Sequence, residues 1–97
     1  NLVNLVMLDF TNCEITYLPN TIGNLPNLQI LFLANNNLLG LPESIGNLSR
    51  LHTLNIRNNN IRRLPDSITN IDGLTTVYYD GNPRLVLTPE QINFLPG

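Results

Sequence analysis

Hydrophobic positions recur along this chain at a short spacing that predicts strands. In Leu54-Asn55-Ile56 an apolar residue stands at every second position, which is the period of a strand with one buried face. Asn59 follows where the chain must leave that strand, and an amide there can bond free backbone groups of the turn. The whole stretch 51–61 reads L-x-x-L-x-L-x-x-N-x-L, with Ile in two of the Leu positions.

The same stretch occurs in four copies at one constant offset, which leads from Leu31 to Leu54 and from Leu54 to Val77. The segments run over about 1–17, 18–40, 41–63 and 64–87, with a partial one at 88–97. Each of the three segments after the first opens Leu-Pro-x-x-Ile, at Leu18, Leu41 and Leu64. A strand of this length cannot bury its apolar face alone, so copies stacked at about 4.8 Å would share one parallel sheet and one core. A chain of 97 residues therefore predicts a single domain.

The repeat also assigns the buried positions. The inward strand residues are predicted to be Leu8, Phe10, Leu31, Leu33, Leu54, Ile56, Val77 and Tyr79. The opposite side of each segment would contribute Ile22, Leu25, Ile45, Leu48, Ile68 and Ile71. The turn position after each strand is held by Cys13, Asn36, Asn59 and Asn82, a predicted structural ladder in which Cys13 is a buried thiol that bonds its turn.

One departure from the repeat follows Asn82, where Pro83-Arg84 replaces the expected apolar residue. An insertion of one residue restores a register in which Leu85, Pro89, Ile92 and Leu95 match Leu38, Pro42, Ile45 and Leu48. On this alignment Thr88 takes the place of the usual Leu. The fourth repeat is therefore expected to be a looser, terminal one.

The chain resembles the leucine-rich repeat family over essentially its whole length, through the period and the L-x-x-L-x-L-x-x-N/C-x-L core. The Leu-Pro-x-x-Ile-x-x-Leu-x-x-Leu opening is similar to the common short type of repeat. The resemblance implies an α/β solenoid, a right-handed superhelix with short parallel strands on the concave face. It implies turns or 3₁₀ segments on the convex face, and a domain that binds other proteins.

Composition narrows the classes of partner. The formal net charge is -2, Lys is absent, and the five arginines are scattered along the chain, which argues against nucleic acid as the main partner. No apolar run approaches the roughly 18 residues of a membrane span. A single Cys excludes an internal disulfide and leaves the compartment undetermined.

Residues for catalysis are too dispersed to form a site. Cys13 and His52 lie more than one repeat apart, so they form no nucleophile and base pair. Asp9 and Asp80 belong to the first and fourth strands, roughly 14 Å apart, and cannot share a metal or a proton. We therefore expect no enzyme, no cofactor and no metal.

The outward strand residues, which the repeat does not dictate, are the candidates for binding. They form columns across the sheet: Met7, Ile30, Thr53 and Thr76; Asp9, Phe32, Asn55 and Tyr78; Thr11, Ala34, Arg57 and Asp80. Exposed aromatics beside Arg and Asp have the composition of an interface, although single apolar residues are also common on surfaces without partners. The predicted partner-binding residues are Ile30, Phe32, Asn55, Arg57, Tyr78 and Asp80. Arg57 lies one strand from Asp80 and can simply pair with it.

The favoured hypothesis is thus a protein–protein interaction module, and the alternative is a structural protein that stacks end to end. Neither end shows an evident polar cap, which solenoids normally need. The leading face would expose Leu2, Leu5, Leu8, Phe10, Ile15 and Leu18. The trailing face would expose Leu74, Val77, Tyr79, Leu85, Ile92 and Leu95. A second copy could cover these faces as a homo-oligomer, or caps and further repeats of a longer parent protein could do so.

Overall fold

The four predicted strands form one parallel sheet in the computed structural model, which describes residues 2–96 and only the backbone of Leu2. The strands are β1 (Met7–Asp9), β2 (Ile30–Phe32), β3 (Thr53–Asn55) and β4 (Thr76–Tyr78). They lie in chain order, with Leu8, Leu31, Leu54 and Val77 in register. Each repeat adds one strand at the same 23-residue offset, so the predicted solenoid is confirmed.

The convex side consists of 3₁₀ segments at Leu2–Asn4, Asn20–Asn24, Glu43–Asn47 and Asp66–Asn70. The last three each follow a proline in the extended conformation, whose fixed φ directs the chain into the segment. Neighbouring segments pack closely, because a Cβ added at Gly46 would lie 2.5 Å from the Ser67 Cβ. Glycine is therefore required where one convex segment crosses the next.

The core is a single column of side chains between the sheet and the convex segments. Leu31, Leu54 and Ile56 from the strand side are fully buried, as are Ile45 and Ile68 from the convex side. Each such side chain contributes about 1.5–3 kcal/mol of transfer free energy. The inward residues of the outer repeats, Leu8, Phe10, Val77 and Tyr79, are only partly buried. No strand lies beyond β1 or β4 in the described part of the chain to cover them.

Buried asparagine amides link each repeat to the one before it. Asn59, 3% exposed, donates from Nδ2 to the carbonyl oxygens of Ile56 in its own repeat and Leu33 in the preceding one, at 3.1 and 2.9 Å. Its Oδ1 accepts from the Leu38 N–H at 3.1 Å. Asn36 and Asn82 make the equivalent bonds one repeat away. One side chain thus satisfies turn groups of two repeats that water cannot reach.

The prediction of a buried thiol at Cys13 is wrong, because this side chain is exposed. Its Sγ–H makes only a weak bond to the Thr11 carbonyl oxygen at 3.6 Å. Its backbone N–H donates to Asn36 Oδ1 at 2.9 Å, so the next repeat holds the turn instead. Cys13 belongs to the first repeat, and no preceding repeat covers it within the described residues.

A second row of turn residues has left-handed backbone, one position before each ladder residue. Asn12, Asn35, Asn58 and Gly81 have φ of 60°, 60°, 58° and 79°, which asparagine and glycine tolerate best. Asn58 donates from Nδ2 to Asn35 Oδ1 at 2.9 Å, on the exposed side of the turn. The runs of three asparagines therefore combine a buried link, Asn36 or Asn59, with a left-handed turn residue before it.

The trailing end differs from its prediction. The helix α1 (Pro89–Phe94) replaces a 3₁₀ segment, with a capping box in which the Thr88 Oγ1 accepts from the Gln91 N–H and the Gln91 Oε1 accepts from the Thr88 N–H. Gln91 is 1% exposed, whereas Ile92 is 62% exposed, so the predicted match of Ile92 to the core residue Ile45 is wrong, although Leu85 and Leu95 do pack on the core as the inserted residue predicts. The uninterrupted repeat offset puts Gln91 where Ile68 stands and Leu87 where Leu64 stands.

Gln91 can occupy this core position because its amide is satisfied. Its Nε2 donates to the Leu64 and Pro65 carbonyl oxygens at 3.1 and 3.3 Å. The helix α1 packs on the Asp66–Asn70 segment, and Leu74 and Leu95, both predicted for the trailing face, are buried. The trailing end is therefore partly covered by the chain itself.

We expect Asn59→Leu to be among the most destabilising single substitutions. The Leu38 N–H and the Leu33 and Ile56 carbonyl oxygens would lose a partner in a buried site, at about 1–3 kcal/mol each where no other partner replaces it. Denaturant unfolding should show a large fall in the midpoint.

The matched control is Asn60→Ala in the same turn, since the Asn60 side chain is exposed. This substitution should change the free energy of unfolding by less than about 0.5 kcal/mol. Equal shifts for the two variants would contradict a linking role for Asn59.

Candidate binding surface

The outward side chains of β1–β4 and of the residues just after them form one surface, here called the concave surface. Met7, Ile30, Thr53 and Thr76 are Cα partners in successive strands, and so are Asp9, Phe32, Asn55 and Tyr78. Equivalent positions in neighbouring strands lie about 4.8 Å apart. The six residues singled out from the sequence therefore lie on one surface. Four of them belong to the strands β2, β3 and β4, and the other two, Arg57 and Asp80, follow shortly after β3 and β4.

Arg57, Tyr78 and Asp80 form a polar cluster at the β3–β4 side of the concave surface. The Arg57 Nε donates to Asp80 Oδ1 at 2.6 Å, and the guanidinium carbon lies 4.4 Å from the centre of the Tyr78 ring. The hydrogen bond from Arg57 is the main cause that lowers the pKa of the Asp80 carboxyl below its ordinary value. The side chains of Arg57 and Asp80 are 44% and 72% exposed, so the ion pair is screened by solvent and adds little stability. Its effect is to orient Arg57 over the Tyr78 ring.

The β1–β2 side of the same surface is largely apolar. Ile30 and Phe32 are half-buried, and Met7 and Val6 beside them are exposed large hydrophobic residues. Ala34, by contrast, is buried and offers little contact area. The concave surface therefore has a largely apolar half on β1–β2, which also carries the carboxylate of Asp9, and a charged, aromatic half on β3–β4.

Two outward polar residues, Asp9 and Asn55, accept hydrogen bonds from residues two positions later in the chain. Asp9 Oδ1 accepts from the N–H and the hydroxyl of Thr11 at 3.0 and 2.6 Å, and these bonds lower the pKa of Asp9. Asn55 Oδ1 accepts in the same way from the Arg57 N–H at 3.1 Å. Asn55 thus keeps its amide donors and one lone pair of its oxygen for a partner, and the same oxygen helps to hold the Arg57 backbone in place.

Within residues 2–96, no three His, Cys, Asp or Glu side chains come close enough together to hold a metal ion. The single histidine, His52, has its Nδ1 2.8 Å from the Thr53 hydroxyl. None of the helices in the described chain has the length and apolar character needed to cross a membrane.

Several contacts among these residues were not foreseen from the sequence. The Arg57–Asp80 pair was anticipated, but the stacking of Arg57 on Tyr78 and the bonds from Thr11 to Asp9 were not. The spacing along the chain could have indicated the Arg57–Tyr78 contact. Tyr78 on β4 pairs with Asn55 on β3, and Arg57 comes two residues after Asn55, within reach of long side chains.

Comparisons with known protein families and with solved structures point to the same family. A model of the leucine-rich repeat region matches residues 1–95. A leucine-rich repeat protein of Leptospira interrogans is 36% identical with a TM-score of 0.72, over 84% of this chain and 21% of that one. A pollen receptor kinase is 23% identical with a TM-score of 0.72, over 90% of this chain and 43% of that one. No curated protein sequence matches the chain.

This chain thus spans less than half the length of both solved structures. The family model covers nearly all of it, and the parallel sheet with 3₁₀ segments has the architecture of those relatives. By the regular repeat, the fold and the match over residues 1–95, this chain belongs to the leucine-rich repeat family.

Proposed function

We propose that this chain is a non-enzymatic protein-binding domain that holds its partner on the concave surface. The carrying observation is the pair of aromatic side chains that point outward there, Phe32 and Tyr78, the latter 39% exposed. The repeat needs apolar residues only at the inward positions, so neither aromatic is required by the fold. Leucine-rich repeat domains generally bind proteins, which supports this class of function without naming a partner.

The polar half of the concave surface is preorganised for such contact. Asp80 and the Asn55 oxygen fix the side chain and the backbone of Arg57, and Arg57 covers one part of the Tyr78 ring. Ordering long side chains costs about 0.5–1.5 kcal/mol each when a partner binds. These contacts restrict Arg57 in the free chain, so part of that cost is avoided. Tyrosine and arginine are also the residues that most often dominate binding energy.

The partner's chemistry follows from the two halves of the surface. An apolar side chain of the partner would contact Ile30 and Phe32. Polar groups of the partner would meet a hydroxyl, the remaining guanidinium donors and a carboxylate, at Tyr78, Arg57 and Asp80. The ion pair leaves this half close to neutral, so the surface favours a mixed protein surface over a polyanion such as nucleic acid.

We expect Phe32→Ala combined with Tyr78→Ala to weaken the binding of a purified partner at least tenfold, about 1.4 kcal/mol. The partner would be obtained by cross-linking capture and then titrated by calorimetry. Both side chains face solvent in part, so circular dichroism should show that the double variant stays folded.

The control is Glu43→Arg on the convex side, where Glu43 is exposed at the start of its 3₁₀ segment. This variant should bind the partner like the original chain. Normal binding by the double variant together with weak binding by Glu43→Arg would transfer the site to the convex side.

A second candidate function, end-to-end self-association, is favoured by one observation at the leading edge. An open apolar cavity of about 550 Å³ lies beside β1. Its apolar lining includes Leu5, Leu8, Phe10, Leu18, Ile22 and Leu25. Asn1 and the Leu2 side chain, which the sequence also assigns to this edge, lie outside the described residues. In the inner repeats, the preceding repeat covers the equivalent positions.

The free backbone groups at the outer edges of β1 and β4 are also complementary to each other. The N–H groups of Phe10 and Ile56 donate to the carbonyl oxygens of Phe32 and Tyr78 on the following strands. By the same offset, the Tyr79 N–H and the Asp9 carbonyl lie at opposite outer edges of the sheet. The β1 strand of a second copy could therefore pair with β4 in register. Such a head-to-tail contact is heterologous and gives filaments or rings.

We expect the unmodified chain, at high micromolar concentration, to sediment as a concentration-dependent oligomer if this second function holds. Leu5→Glu, which places a charge in the leading cavity, should return it to a monomer. Val86→Glu makes the same charge change at an exposed position outside that cavity and should leave association intact. A monomer throughout, with no filaments by electron microscopy, would contradict self-association.

A further inference from the structure

The one interruption of the repeat opens a cleft on the flank of the solenoid, away from the concave surface. Position 84 corresponds to Leu38 and Ile61, which are fully buried, yet Arg84 is exposed. A turn closed by the bond from the Leu85 N–H to the Asn82 carbonyl oxygen, at 3.1 Å, carries Arg84 outward. Leu85 packs on the core in its place.

The resulting space, here called the flank cleft, has a volume of about 380 Å³. It is lined by Leu39, Asn60, Arg62, Pro83 and Arg84. Three successive repeats contribute to it, so it exists only because the repeats are stacked.

Backbone hydrogen bonds hold the walls of the flank cleft. The Arg62 N–H donates to the Leu39 carbonyl oxygen at 3.3 Å, and the Val86 N–H donates to the Arg62 carbonyl oxygen at 2.9 Å. The Ile61 N–H donates to Asn82 Oδ1 at 3.0 Å, which ties the middle wall to the start of the Pro83-Arg84 turn. The cleft is thus preformed, as ligand and partner sites usually are.

Its charge is uncompensated. No carboxylate lines the flank cleft, and the ion pair of Arg57 with Asp80 is the only one among the described residues. Arg62 and Arg84 therefore line the same cleft, and neither has an acidic partner among residues 2–96. Leu39, 61% exposed, provides an apolar wall beside them.

We propose that the flank cleft binds an acidic segment of a partner protein, with carboxylates on Arg62 and Arg84 and an apolar side chain against Leu39. The planar guanidinium group matches a carboxylate with two parallel hydrogen bonds. A nucleic acid fits less well, because the cleft has no aromatic residue for bases to stack on and the chain carries a net charge of -2. This surface does not depend on the proposed role of the concave surface.

The test uses two fluorescein-labelled peptides, one of alternating glutamate and leucine and one with glutamine in place of glutamate. Anisotropy titrations at low and at physiological ionic strength should show saturable binding of the glutamate peptide, at least tenfold tighter than that of the glutamine peptide. Arg62→Gln combined with Arg84→Gln should remove at least tenfold of that affinity. Leu39→Ser should weaken it without changing its salt dependence. All three positions are exposed, so the variants should melt like the original chain.

Arg50→Gln is the matched control, because Arg50 is exposed and lies outside the flank cleft. It should leave the affinity unchanged. Three results would overturn the proposal. The first two are absence of saturable binding of the glutamate peptide, and a loss of affinity per removed charge that is equal in Arg50→Gln and in the double variant. The third is tighter binding of a single-stranded oligothymidine than of the glutamate peptide. The last result would assign the cleft to nucleic acid.

Discussion

Each repeat of this chain is held to the preceding one by a buried asparagine amide, and the rest of the structure depends on that link. A strand of three residues has too few hydrogen bonds and too little apolar area to be stable alone. The amides of Asn36, Asn59 and Asn82 satisfy backbone groups of two repeats at once. Together with the parallel register and the shared core, they hold each repeat to its neighbours along the stack.

The same dependence explains why the ends differ from the middle. The first repeat has no described neighbour on its outer side, so Cys13 is exposed and Leu8 and Phe10 are only partly buried. At the other end, α1 and the buried Gln91 cover part of the fourth repeat. The leading edge therefore carries the larger apolar opening. Any association through the ends has to begin from this asymmetry.

The candidate binding features lie where the repeat leaves the residues free. On the concave surface, outward side chains point away from the core, so Phe32, Arg57 and Tyr78 are not needed for stacking. On the flank, the break at Pro83-Arg84 removes one core residue from its usual place and leaves Arg62 and Arg84 on a common cleft. One surface is near neutral with aromatic contacts, and the other is cationic with an apolar wall.

The local spacing of apolar and polar residues was enough to predict the strands, their register, the parallel sheet and most of the core. That spacing works because every unit repeats the same pattern at the same length, so a single register satisfies all the strands together. It also grouped Ile30, Phe32, Asn55, Arg57, Tyr78 and Asp80 on one face of the sheet.

Only the tertiary structure decided which side chains contact each other and where the chain departs from the repeat pattern. Ile92 was expected in the core, but a capping box starts a helix at Pro89, which turns Gln91 inward and Ile92 outward. The stacking of Arg57 on Tyr78 and the flank cleft between Leu39, Arg62 and Arg84 depend on contacts between repeats. The sequence determines each repeat through local spacing, whereas contacts between repeats follow from through-space geometry and side-chain orientation, which spacing along the chain does not determine.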